Sequence, residues 1–145
     1  MSASITADAI RSVFVSLGCN REPGIMDWNH TNNLVAYGGS SLVAIYNPID
    51  SVNAVVATLR GHTEDINCVA WLEGTHGIHQ VPEGMTPIGQ VSSGGFDGKI
   101  IIWDLFQANT SVYSQDTLLV SALSDQHLRY RISATLTPSD SPSGV

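Results

Sequence analysis

Short apolar runs, alternating with polar positions and closed by turn residues, recur along the chain between Gly24 and Leu136. Gly24–Trp28, Leu34–Tyr37, Leu42–Tyr46 and Ala54–Leu59 read as four strands. The polar turn Asn29–Asn33, the turn Gly38–Ser41 and the Asn47-Pro48 signal separate them. Connections this short make each strand an antiparallel neighbour of the one before it. A second set begins with Ile66–Leu72, which alternates as Ile66, Cys68 and Ala70 against Asn67, Val69 and Trp71. A long Gly-, Pro- and His-rich interruption, Glu73–Thr86, separates it from Ile88–Ser93. The tight turn Phe96-Asp97-Gly98 then leads into Lys99–Leu105. Ile100, Ile101 and Ile102 before Trp103 form a continuous apolar run, which predicts a strand buried on both faces. The flanking Asp97-Gly98 and the β-branched residues favour strand over buried helix. Two runs compete for the fourth strand, Asp116–Ser124 and Leu128–Leu136. The second alternates better, with Leu128, Tyr130, Ile132 and Ala134 on one side.

The pattern is therefore a repeat of four-stranded units, and repeats set the architecture. Residues 12–62 hold a leading strand, Ser12–Leu17, and the first unit; residues 63–136 hold the second, with residues 73–86 as an insertion. Residues 1–11 read as a disordered N-terminus and residues 137–145 as an irregular Ser/Pro/Gly tail. In the second unit Gly61-His62 precedes the first strand, and Trp103-Asp104 ends the third roughly 40 residues later, the Gly-His to Trp-Asp signature of a WD repeat. The expected fold is all-β: about two blades of a seven-bladed WD-repeat propeller, hence an incomplete one. Val13–Leu17 is placed to complete a blade begun at the other end of a chain. A pair of blades leaves sheet faces and edges open, so the chain alone is expected to be poorly stable, or the truncated product of a longer gene.

Four residue types explain how such a unit holds its register. Asp97 sits in the tight turn, where its carboxylate can accept from backbone N–H groups and from the His62 ring. His62 meets the Ser93 hydroxyl, and Ser93 meets the Trp103 indole N–H. A buried indole or imidazole left unpaired costs about 1–3 kcal/mol, so a mutually satisfied set is required. Ser, His and Asp also suggest nucleophilic catalysis, but a nucleophilic serine needs an exposed elbow and an oxyanion hole. Ser93 lies inside an apolar strand pattern, and no catalytic residue is assigned. The first unit lacks the set: Tyr46-Asn47 stands where Trp-Asp would, and Gly39-Ser40-Ser41 where the turn aspartate would.

Composition narrows the function. Charged residues make up only 13% of the chain, and the net charge of −7 rests on thirteen carboxylates against one lysine, Lys99, and few arginines. The only close basic pair is Arg129 and Arg131, so direct nucleic-acid binding is disfavoured. Cys19 and Cys68 are far apart and match no paired motif, which suits a reduced compartment. The Asn29 and Asn109 sequons read as chance matches, since Met1–Arg11 is no secretion signal. The uncharged stretch Trp28–Ile49 carries Asn, Ser, Gly and His, which hydrocarbon would not tolerate, so no membrane partner is expected.

The insertion is the candidate partner loop, through His76, His79 and Glu83, because long loops on compact folds are uncommon unless they serve a contact or are disordered. With Cys68 these residues resemble a zinc set, but a fourth soft ligand is missing, and no metal and no other cofactor are expected.

Several segments resemble a narrower family. Cys19-Asn20, Gly24-Ile25-Met26-Asp27-Trp28 and Leu34-Val35-Ala36-Tyr37-Gly38, within Val13–Pro48, are similar to the start of the Elongator complex protein 2 family of WD-repeat proteins. So are Leu59-Arg60-Gly61-His62-Thr63 leading to Ile66-Asn67-Cys68-Val69-Ala70-Trp71, and Val91-Ser92-Ser93-Gly94-Gly95 leading to Ile102-Trp103. The resemblance spans residues 13–105; residues 106–145 match poorly. It implies a non-catalytic scaffold of two linked seven-bladed propellers. It also implies partners in the largest scaffold subunit and the acetyltransferase-like subunit of a tRNA wobble-uridine-modifying assembly. The location implied is the cytoplasm, with the nucleus as a second compartment. Structural roles carry over to His62, Ser93, Asp97 and Trp103. The competing function is an unrelated WD-repeat adaptor, such as a ubiquitin-ligase substrate receptor.

Overall fold

The short alternating runs form eight strands in a computed structural model that describes residues 18–49, 54–109 and 128–138. β1 (Met26–Asn29), β2 (Leu34–Gly39), β3 (Leu42–Tyr46) and β4 (Val55–Arg60) make one antiparallel sheet in sequence order. β5 (Ile66–Leu72), β6 (Met85–Gly95), β7 (Ile100–Ala108) and β8 (Arg129–Leu136) make the second, again in sequence order. These are two successive blades of a WD-repeat propeller. Of the two runs that compete for the last strand, Leu128–Leu136 supplies β8, which pairs with β7 from Phe106↔Arg129 to Ile100↔Leu136. Asp116–Ser124, Ser12–Leu17 and the terminal segments 1–11 and 139–145 lie outside the described residues.

The blades pack face to face. β1, β2 and β3 lie against β5, and β4 against β8. Ala36, Val43, Ile45 and Leu59 from the first sheet and Ile66, Val91, Ile101 and Trp103 from the second are fully or almost fully buried in one shared cluster. Among the described residues neither sheet has another apolar layer on that side, and burial of this cluster stabilises both. The seam is close. A methyl group on Gly38 would stand 2.6 Å from side-chain atoms of both Ile25 and Ile66. Backbone bonds cross it as well: Ile66 N donates to Ser40 O at 2.8 Å, Val69 N to Gly24 O at 3.0 Å and Leu128 N to Val56 O at 3.0 Å.

Several details differ from the alternation in the sequence, among them a slip at Ile102/Trp103 that puts Ile132 and Ala134 of β8 on opposite faces. In β5 the pairing slips between Ile66 and Cys68, a β-bulge. An extra residue there puts Ile66 and Val69 on the same buried side and leaves Cys68 and Ala70 exposed. β6 starts at Met85, so Met85 and Thr86 belong to the sheet and the insertion is shorter than residues 73–86. They pair with Ala108 and Gln107 on a β7 that runs past Leu105. Pro87 is tolerated there because pairing with β5 extends only to Gln90 and the missing N–H has no ladder partner on that side. Finally, β7 is covered on both faces only from Trp103 to Phe106; Ile100 is 47% exposed.

Candidate functional site

The turn after β6 is built by Gly95–Lys99. Gly98 takes φ +76°, and Gly95 N donates to Lys99 O. This places the Asp97 carboxylate over the turn, where it accepts from Lys99 N at 3.1 Å and from Thr63 N at 2.9 Å. His62 Nδ1 lies 3.0 Å from Asp97 Oδ1 and His62 Nε2 lies 2.8 Å from Ser93 Oγ. The Trp103 indole N–H donates to Ser93 Oγ at 2.8 Å. An indole only donates and a carboxylate only accepts, so a neutral imidazole fixes the direction of the chain: Trp103 to Ser93, Ser93 to His62 Nε2, His62 Nδ1–H to Asp97. Burial works to raise the Asp97 pKa. The Thr63 N–H, the His62 ring and the Lys99 N–H outweigh it and hold the carboxyl at about 2, against an ordinary 3.8. The glycine of Gly61-His62 also has a physical reason, since a Cβ there would meet the Trp103 ring at 2.8 Å.

The first blade uses a different device, one that sequence reading missed. Asn20 accepts from Ser40 N at 2.7 Å through Oδ1 and donates through Nδ2 to Ser40 O and Ile66 O, both at 2.9 Å. One amide thus satisfies the β2–β3 turn, where Ser40 takes φ +53°, and ties it to β5.

The insertion is anchored on the face of the second sheet turned away from the first. Asp104 is 1% exposed and takes hydrogen bonds from Gln90 Nε2 at 2.7 Å and from Arg131 Nε and Nη2 at 3.1 and 2.9 Å. The remaining Arg131 donors reach out to the insertion, to Gln80 O and His79 O at 2.8 and 2.5 Å, and its guanidinium lies 5.0 Å from the Phe106 ring centre. Ile78 is buried there, and Phe106 with it, apart from the cluster that joins the sheets. Arg131 therefore holds residues 79–80 and neutralises a buried carboxylate at once.

Between the blades, at the end carrying the β1–β2 turn and the insertion, lies a cavity of about 660 Å³. Asp27 organises its floor. Its carboxylate accepts from Trp71 N at 2.7 Å and from Trp28 N at 3.0 Å, and its carbonyl accepts from the Trp71 indole at 3.2 Å. Trp28 stands half exposed with the His30 ring 4.5 Å from its own. Glu73 and His76 form the opposite wall. Of the three insertion residues singled out from sequence, His76 lines this cavity; His79 and Glu83 are exposed outside it. Trp28, Asp27 and Asn20 were visible only as members of resembling segments. Among the described residues no group of three or more His, Cys, Asp or Glu side chains is placed to hold a metal ion.

The family model "WD domain, G-beta repeat" matches residues 53–104, which run from β4 into β7 and include all four members of the hydrogen-bonded chain. Elongator complex protein 2 of Homo sapiens is 29% identical over 135 residues, covering 76% of this chain and 15% of that protein. The Danio rerio protein of that name is 34% identical over 100 residues, 69% of this chain and 11% of its own length. The Arabidopsis thaliana one is 31% identical over 109 residues, 75% and 12%. This chain thus spans about 15% of the length of the human relative it matches. The chain thus carries a WD repeat at residues 53–104, folds into two four-stranded sheets, and is similar over three quarters of its length to Elongator complex protein 2.

Proposed function

We propose that the chain is a non-catalytic scaffold element of the Elongator complex. In this reading it supports tRNA wobble-uridine modification through protein–protein contacts, in the cytoplasm and the nucleus. The observation that carries the reading is that relatives from animals, plants and yeast that match this chain share the name Elongator complex protein 2. The partners proposed are the largest scaffold subunit and the acetyltransferase-like subunit, held through the blade surfaces and the insertion.

The Ser93–His62–Asp97 geometry supports the non-catalytic part. Ser93 is 1% exposed, and its hydroxyl already engages Trp103 and His62. A nucleophile would need that oxygen open to a substrate carbonyl, with oxyanion donors beside it. The set is proposed instead as the lock on blade register, since its members sit before β5, in β6, in the β6–β7 turn and in β7. Loss of the chain from its cells should lower wobble-uridine modification, read by mass spectrometry of digested tRNA. Unchanged modification would contradict the reading.

A further inference from the structure

We propose that the cavity between the two blades is a recognition pocket for an arginine side chain on an extended segment of a partner protein. This rests on the chain being a protein-binding repeat, and not on which complex it joins.

Three independent features of the pocket point the same way. The first is an aromatic side chain in the lining that stands half open to solvent. Trp28, in the edge strand β1, is half exposed, with the His30 ring 4.5 Å from its own. A cation over an indole face is attracted by the ring quadrupole, and a planar guanidinium also stacks on it. The second is charge. The lining carries the carboxylates of Asp27 and Glu73 and neither lysine nor arginine, within a chain of net charge −7. The two oxygens of Asp27 each accept one backbone N–H, which leaves each a further acceptor position; Glu73 is exposed. The third is rigidity. Trp71 is fixed by two hydrogen bonds to Asp27 and lies over Gly89, where a Cβ would be 3.0 Å from its ring. The insertion wall is tied down through Arg131 and the buried Ile78. A preformed wall lowers the ordering cost of binding. A volume of about 660 Å³ holds one long side chain together with adjoining backbone of its segment. Arginine fits better than lysine because its fork meets a carboxylate edge-on while its plane stacks on Trp28.

The test titrates the full chain into a fluorescein-labelled, capped heptapeptide, Gly-Ser-Gly-Arg-Gly-Ser-Gly, and reads anisotropy. Saturable binding is expected. The same peptide with citrulline, which keeps the shape and loses the charge, should bind about tenfold more weakly. Trp28→Ala and Glu73→Gln should each weaken the arginine peptide several-fold. Glu73→Gln is an isosteric change at an exposed side chain, and a urea midpoint equal to the parent's establishes that the fold is kept. No saturable binding, equal binding of the citrulline peptide, or unchanged affinity in both folded variants would overturn the proposal. Peptide binding reads the pocket alone. Its failure would leave assembly with Elongator subunits untouched, and failure of assembly would leave the pocket standing.

Discussion

Ser93 Oγ is the central atom of the second blade: it accepts from Trp103 and faces His62 Nε2, so removing it orphans two buried groups at once. Ser93→Ala should destabilise the chain by about 1–3 kcal/mol, seen as a lower urea midpoint at unchanged slope. A midpoint equal to the parent's would mean that water replaces the hydroxyl at no cost. Asp97 adds a pH dependence whose sign follows from its lowered pKa. The unfolded carboxyl titrates near 3.8 and the folded one near 2, so its stabilisation is full above about 3.8 and fades as pH falls towards 2. Urea midpoints between pH 5 and pH 2 should fall more steeply for the parent than for Asp97→Asn; parallel curves would contradict the assignment. The types and order of these four residues were legible in the sequence, because Gly-His, a turn aspartate and Trp-Asp at repeat spacing have few other readings. Asn20 and Asp27 were not. A lone Asn or Asp beside a turn looks the same in sequence whether it caps its own turn or reaches another sheet, and both of these reach β5.

At the scale of elements, two contacts decide the arrangement. The blades approach closely at Gly38, and Gly38→Ala forces a methyl group into the Ile25 and Ile66 side chains. The cost should be about 1–3 kcal/mol, with both sheets loosening together in hydrogen exchange because they share one core. Protection lost in β1–β4 alone would argue against a shared core. Arg131 decides the insertion. Arg131→Met leaves Asp104 buried with Gln90 as its remaining side-chain partner and releases His79 and Gln80. Exchange at residues 77–81 should rise while the seam cluster stays protected. Strand positions were largely readable from alternation. The bulge at Ile66/Cys68, the early start of β6 and the anchoring of the insertion were not. Each depends on which neighbouring strand is present to pair, or on a long-range partner such as Arg131, and periodicity carries neither.

As a whole, among the described residues, the end of the second sheet's outer face at Ile100 and Leu136 has no second layer over it. On that face Ile100 and Leu136 are paired across β7 and β8 and are 47% and 57% exposed. Exposed apolar pairs on an open sheet favour association. The isolated chain should therefore show concentration-dependent sedimentation, which Ile100→Lys with Leu136→Glu should reduce. A monomer independent of concentration would contradict this. At the other end of the same face Arg131 holds the insertion at His79 and Gln80. Membership in Elongator is tested by affinity purification of the chain, epitope-tagged at its own locus, followed by mass spectrometry of what it brings down. The largest Elongator subunit and the acetyltransferase-like subunit should be recovered. Recovery of ubiquitin-ligase components in their place, or of no Elongator subunit at all, would contradict that membership.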